Sequence, residues 1–164
     1  MTLRPATADD AALVCALVRE LADYEKAEPG EVSATPEAFA AALAPDARPR
    51  LDGLLAFADD GEAAGVALFF PAFSTWRAGW GLYLEDLFVR PAYRGQGIGL
   101  ALFRAVAAEA VARGAERLEW VVLDWNELAL GFYRQLGAAS LDDWTKMRLT
   151  GDALAALAAG GARP

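Results

Sequence analysis

The sequence predicts an α/β fold, a mixed sheet with helices on its faces. Apolar runs in the first half are joined by a tight turn signal, as in antiparallel hairpins, and those in the second half alternate with helical patterns. The chain has 164 residues, 55% hydrophobic and 23% charged, about the length of one domain with a well-filled interior. Residues 1–157 read as that single domain, and the Ala/Gly-rich stretch Ala158 to Pro164 as a frayed tail.

Each element follows from local chemistry. Leu3 to Pro5 is a short strand. Thr7-Ala8-Asp9-Asp10 has the spacing of a capping box and opens a helix to about Lys26, in which Leu13, Leu17 and Leu21, broadened by Val14 and Val18, form the buried stripe. Thr35-Pro36-Glu37 opens a second helix: Thr caps, Pro suits the first helical position and Glu the positive end. Leu54 to Ala58 and Gly65 to Phe73 flank Asp59-Asp60-Gly61 as a hairpin. Tyr83 to Val89 is a third long run, stopped by Pro91. Ile98 to Arg113 reads as a helix ended by Gly114, Leu118 to Leu123 as a strand, and Glu127 to Leu136 as a helix ended by Gly137. Trp144 to Leu149 is expected to close the sheet.

Composition removes several classes of function. A formal charge of -8 repels phosphate backbones and anionic lipid headgroups, so neither nucleic acid nor membrane is expected as a partner. The chain contains no histidine, which rules out Ser-His and Cys-His dyads, His-based zinc sites and imidazole acid–base chemistry; no metal is expected. Cys15 is the only cysteine and sits on a helical pattern, a packed thiol that suits the cytoplasm. No apolar run approaches the roughly 20 residues of a membrane helix, and no basic-then-apolar signal layout opens the chain.

The chemistry concentrates in Tyr83 to Gly99, which runs from a strand through a glycine-rich turn into a helix. Gly95, Gly97 and Gly99 leave a bare backbone that a ligand can approach closely. Successive N–H groups and the positive end of the following helix make a cradle for pyrophosphate, and Arg94 adds a fixed charge. The plainer alternative is a tight helix-opening turn that happens to contain glycines. No Gly-Lys-Ser/Thr follows, so this is no Walker loop, and the glycines follow a hairpin-linked strand with no acidic ribose partner, unlike a dinucleotide fingerprint.

Arg94-x-x-Gly97-x-Gly99 after an apolar strand resembles the acetyl-CoA signature of the GNAT superfamily of N-acyltransferases. Within it the chain is similar to diamine (spermidine/spermine) and thialysine acetyltransferases through five blocks in order: Leu21-Ala22-Asp23-Tyr24-Glu25, Phe73-Ser74-Thr75-Trp76, Tyr83-Leu84-Glu85-Asp86, Val122-Leu123-Asp124-Trp125-Asn126 and Phe132-Tyr133-Arg134-Gln135-Leu136-Gly137-Ala138. The resemblance implies a mixed, mostly antiparallel central sheet with helices on both faces, acetyl-CoA as co-substrate, and a homodimer with acceptor sites near the subunit interface. It implies that Leu87, Phe88 and Val89 pair their main chain with the pantetheine arm. Arg94, Gly95, Gln96, Gly97, Ile98, Gly99 and Leu100 would hold the pyrophosphate, and Asn126, Glu127, Leu128 and Ala129 would flank the cysteamine end. Tyr133 occupies the family's proton-donor position.

Acetyl transfer to an amine needs a neutral nitrogen, a polarised thioester carbonyl and a proton for the departing thiolate. An alkylamine has a reference pKa of about 10.4, so deprotonation must be assisted. With no histidine present, Glu85 is the candidate base, acting directly or through a water, and Tyr133 the candidate acid. A regular strand would aim Glu85 and Asp86 at opposite faces unless a bulge intervenes. A main-chain N–H near Leu87 or Phe88 is the candidate oxyanion donor. Plainer readings stand beside these: Tyr133 as a core residue, Asn126 as a helix cap, and Trp76, Trp120, Trp125 and Trp144 as packing.

The resemblance places the acceptor among Tyr24, Glu25, Trp76, Glu85, Asp86, Glu119, Trp120, Val121 and Trp144, acids and aromatics that suit a cationic amine. Ser74-Thr75-Trp76 lacks an acidic residue that polyamine acetyltransferases carry, and Asp142-Asp143-Trp144 replaces a longer acidic loop. Both departures favour a small amine or amino-acid side chain over a long polyamine. Two other functions remain open: a protein lysine or N-terminal acetyltransferase, for which an open groove is expected, and a non-catalytic acyl-CoA sensor.

Overall fold

The computed structural model describes residues 1–28 and 30–161 and divides into two units, residues 1–121 and residues 122 onward. The first unit holds a five-stranded sheet in the order β1 (Thr2–Pro5), β2 (Asp52–Phe57), β3 (Ala63–Ser74), β4 (Gly79–Val89) and β5 (Leu118–Glu119). All pairings are antiparallel except β4 with β5, which is parallel. The mixed, mostly antiparallel sheet is thus the expected one.

Helices α1 (Ala11–Tyr24) and α2 (Pro36–Leu43) cover one face, and α3 (Ile98–Ala112) the other. Alternation along the strands divides the core accordingly. Leu55, Val66, Leu68 and Phe88 meet Val14, Leu17 and Leu21 of α1 and Leu43 of α2. Ala56, Ala67, Phe69, Leu82 and Leu84 meet Ile98, Leu102, Val106 and Ala110 of α3. Full burial of each Leu, Ile or Val contributes about 1.5–3 kcal/mol, so these two clusters carry most of the unit's cohesion. The helix starts behave as their residues dictate. The Thr35 hydroxyl accepts the Ala38 N–H at 3.2 Å, and the Asp10 carboxylate accepts the Thr7 N–H at 2.9 Å. Asp10 is also paired with Arg4. Among the described residues no helix is long and apolar enough to cross a membrane.

Three expectations are corrected. β4 begins at Gly79, four residues early: Gly79 and Gly81 pair with Ser74 and Ala72 and extend the ladder with β3. β5 is two residues long and does not reach Leu123: Leu82 and Tyr83 are its only β4 partners, and Trp120 leaves the ladder to pack edge-to-face on Phe103, centroids 5.1 Å apart. Trp144 to Leu149 forms no strand. Every residue from Trp144 to Leu149 is exposed, so no buried apolar face fixes a register there.

The second unit contains α4 (Glu127–Gln135) and α5 (Gly151–Ala158), the latter absent from the sequence reading. α5 occupies most of the stretch just before the expected tail; residues 162–164 lie outside the described residues.

Candidate active site

The bulge that the sequence left open falls at Glu85. Leu84 pairs with Phe69 and Asp86 with Leu68, so Glu85 is the extra residue with no partner in β3. Its effect is to change which side chains face which helix. Leu82 and Leu84 belong to the α3 face; beyond the bulge Leu87 and Val89 take that face, and Phe88, with Asp86 two residues before it, turns to the α1 face. Glu85 is exposed, Asp86 half-buried.

Asp86 differs from the other carboxylates that are buried or half-buried among the described residues. Asp10, Glu20, Asp52, Glu109 and Glu119 each pair with an arginine, whereas Asp86 has no hydrogen bond or ion pair among the described residues. Burial pushes its carboxyl up to about 6, reinforced by the negative charges of Glu85 and Glu25. Loss of water also raises the Glu25 carboxyl, at the end of α1. The arrangement is a cluster of carboxylates for which no ion pair occurs among the described residues.

On the side away from β3, β4 has a strand neighbour only at Leu82 and Tyr83 among the described residues. From Leu84 to Val89 that edge is unpaired, and at its end comes the glycine turn. Gly95 and Gly97 have φ of 75° and 79°, left-handed values that favour glycine, and nothing lies within 4 Å of where a Cβ would project at either. Gly99, inside α3, has no such need. Gly97 caps α3 without a side-chain bond. The first helical bond is Ala101 N–H to the Gly97 carbonyl, and none of the six N–H groups from Gly95 to Leu100 donates to a main-chain acceptor. Six consecutive free donors at the positive end of a 15-residue helix suit a diphosphate, and the open edge of β4 beside them suits an amide-bearing arm.

Arg94 does not project freely from this turn. Its Nε donates to the Val89 carbonyl at 3.0 Å and its guanidinium lies over the Tyr24 ring, 4.3 Å from the centroid. Sequence reasoning assigned Tyr24 and Arg94 to different ligands and missed this latch, which only the fold reveals.

The remaining first-unit residues are more scattered. Glu119 is neutralised by Arg117 at 2.5 Å, Trp120 packs against the α3-side core, and Val121 is exposed. Trp76 lies in the β3–β4 turn, 87% exposed; the six residues of β4 from Gly79 to Glu85, at about 3.3 Å each, put roughly 20 Å between that turn and Glu85, so this chain does not bring the two together. A groove of about 810 Å³ lined by Leu51, Phe70, Pro71, Trp80 and Arg113 lies at the opposite end of β4 from the glycine turn and includes none of the expected residues.

In the second unit, Asn126 caps α4 through its Oδ1, which accepts the Ala129 N–H at 3.2 Å, and Glu127 and Leu128 open the helix, exposed. Tyr133 is half-buried on α4, its ring edge-on to Phe132 with centroids 5.2 Å apart. Trp144 is 70% exposed.

Comparison with known proteins agrees with this geometry. Residues 17–138 match the Acetyltransferase (GNAT) family. The chain is 35% identical to the thialysine N-epsilon-acetyltransferase of Bos taurus, over 95% of its own length and 96% of the relative's. It is 48% identical over 99 residues to the L-ornithine N5-acetyltransferase of Arabidopsis thaliana, of which it spans 43%. Among solved structures, an integron cassette protein from the V. cholerae mobile metagenome superposes with a TM-score of 0.77 at 25% identity, covering 96% of each chain. The GNAT family uses acetyl-CoA as co-substrate, and the free donors of the turn fit its diphosphate. The chain is a member of the GNAT acetyltransferase family, an N-acetyltransferase.

Proposed function

We propose that the protein transfers the acetyl group of acetyl-CoA to the primary amine of a small cationic acceptor, a thialysine-like amino acid or a diamine, by direct attack. The observation that carries this reading is the placement of six unpaired N–H groups, Gly95 to Leu100, one short turn away from carboxylates that have no counter-ion of their own. The turn takes the diphosphate, and the main chain of Leu87, Phe88 and Val89 meets the pantetheine amides, with a β4 N–H polarising the thioester carbonyl. Asn126 to Ala129 flank the thioester end. One carboxylate of the Glu85–Asp86 pair accepts the ammonium proton, directly or through a water, with the other in support, and Tyr133 supplies the proton that the departing thiolate takes up. Tyr24 and Glu25, with Glu85 and Asp86, receive the acceptor's charge. The relatives' names, which specify thialysine and ornithine, support an amino-acid side-chain amine over a long polyamine. Residues 1–157 act as one acetyltransferase domain, working as a cytoplasmic homodimer.

The test is thiol release from acetyl-CoA with thialysine, ornithine, lysine, putrescine, spermidine, small monoamines and lysine-containing peptides. Turnover with the diamino acids or putrescine above that with peptides is expected. Preference for peptides, or no release with any amine, would overturn the reading.

A further inference from the structure

The bulge does more than interrupt β4: it gives two adjacent carboxylates unlike surroundings. Had the strand run on without it, Asp86 would share the α3 face with Leu82 and Leu84, and β4 would carry one carboxylate on each side. The extra residue instead turns Asp86 to the face of Leu68, Phe88 and α1, while Glu85 stays in solvent. Asp86 therefore has apolar neighbours beside it in the ladder and only like charges acting on it, from Glu85 next in the chain and Glu25 at the end of α1. Arg94, at the start of the glycine turn, is already bound to the Val89 carbonyl and the Tyr24 ring. A carboxylate so placed gains from any proton it can take.

Resting on the acetyl-transfer reading above, we infer that Asp86 is the proton acceptor of the reaction and that exposed Glu85 acts on it electrostatically, holding its proton affinity high. In the step, an N–H bond of the acceptor ammonium breaks and its proton passes to an Asp86 oxygen. The freed lone pair forms the amide C–N bond while the C–S bond breaks with its electrons on sulfur. The second nitrogen proton balances the thiolate by way of Tyr133, and Asp86 returns its own proton to solvent. The sum is ammonium plus thioester giving amide, thiol and one proton. Burial of Asp86, together with the charges of Glu85 and Glu25, makes the first transfer about 100-fold more favourable than an ordinary carboxylate would.

The experiment is the pH dependence of kcat/KM with the best amine of the panel, for wild type, Asp86→Asn and Glu85→Gln. Wild type should rise to a plateau through about pH 6. Asp86→Asn should lose roughly 100-fold or more at pH 7 and the limb near 6, its rate climbing instead toward the amine's own pKa. Glu85→Gln should keep the limb but move it lower, because a negative neighbour is gone, with a loss of roughly tenfold or less at pH 7. A limb that persists unmoved in Asp86→Asn, or that vanishes in Glu85→Gln, overturns the assignment. Carbon-13 NMR of the carboxyl groups, with no acceptor present, gives a second readout: Asp86 should inflect near 6 and shift down in Glu85→Gln, and an inflection in the ordinary range near 4 overturns it. Absence of thiol release by wild type with every amine would instead sink the acetyl-transfer reading, and this assignment with it.

Discussion

Arg94 stacks on Tyr24 with 4.3 Å between guanidinium carbon and ring centroid, while its Nε holds the Val89 carbonyl. One side chain thus joins the end of α1, the end of β4 and the glycine turn, and in the proposed coenzyme site it would act through position as well as charge. Arg94→Ala should weaken acetyl-CoA about 5- to 10-fold, and Tyr24→Leu, which removes only a stacking partner, about 2- to 5-fold. Isothermal titration of the double variant should show a loss smaller than the product of the two. Unchanged affinity in Tyr24→Leu would mean that the latch plays no part.

Gly97 stands at φ 79° with open space where a β-carbon would go. Alanine there meets no protein atom, so its cost to folding is conformational, about 1–2 kcal/mol, and in the proposed cradle its methyl group would stand in the way of the diphosphate. Gly97→Ala should therefore lower the melting temperature by only a few degrees and weaken acetyl-CoA by tenfold or more. Gly99→Ala, inside α3 at an ordinary φ and 3.6 Å from a Val89 methyl, should fold at least as well and bind within about threefold of wild type. Equal affinities for the two variants would argue against a cradle centred on Gly97.

What could be read from the sequence and what could not divide on physical grounds. The Leu13–Leu17–Leu21 stripe, the Thr35 cap and the glycine turn are local signals, written within four or five residues, and the fold realises them as α1, α2 and the start of α3. The bulge at Glu85 is a matter of register between β3 and β4, set by how Leu84 and Phe88 each reach a different helix, and no pattern within β4 announces it. The Arg94–Tyr24 contact joins residues 70 positions apart. Trp144 to Leu149 was misread because aromatic and aliphatic residues in a short alternating run resemble a strand whether or not an edge exists to pair with.

A reference phenol of pKa about 10 gives its proton to a thiolate of reference pKa about 8.5 only uphill, by about 2 kcal/mol. In the proposed step the Tyr133 hydroxyl therefore first donates a hydrogen bond that strengthens as charge gathers on sulfur, and its proton passes as the thiol leaves. Tyr133→Phe, which keeps the ring and its edge contact with Phe132, should reduce kcat roughly 10- to 100-fold and leave acetyl-CoA affinity within about threefold. Steady-state kinetics alongside a coenzyme titration separates the two, and a variant with wild-type kcat would remove Tyr133 from the chemistry.

Asp86 also has a consequence for stability whose sign is opposite to that of a paired carboxylate. Its affinity for a proton is raised on folding, to about 6, so the charged form is the one the fold penalises. Between pH 4 and pH 6 the folded chain holds a proton that the unfolded chain has released, and stability falls as pH rises through that window, then levels off. An asparagine is neutral throughout and escapes the penalty. Asp86→Asn should therefore melt higher than wild type at pH 7.5, by about 1–2 kcal/mol or roughly 3–6 °C once screening of the half-buried group is allowed for, and the advantage should vanish by pH 4. Thermal melts of both proteins at the two pH values decide it. A variant less stable than wild type at pH 7.5 would show that Asp86 is held by favourable contacts after all, whereas a more stable, poorly active one would mark a carboxylate kept at the fold's expense for the reaction.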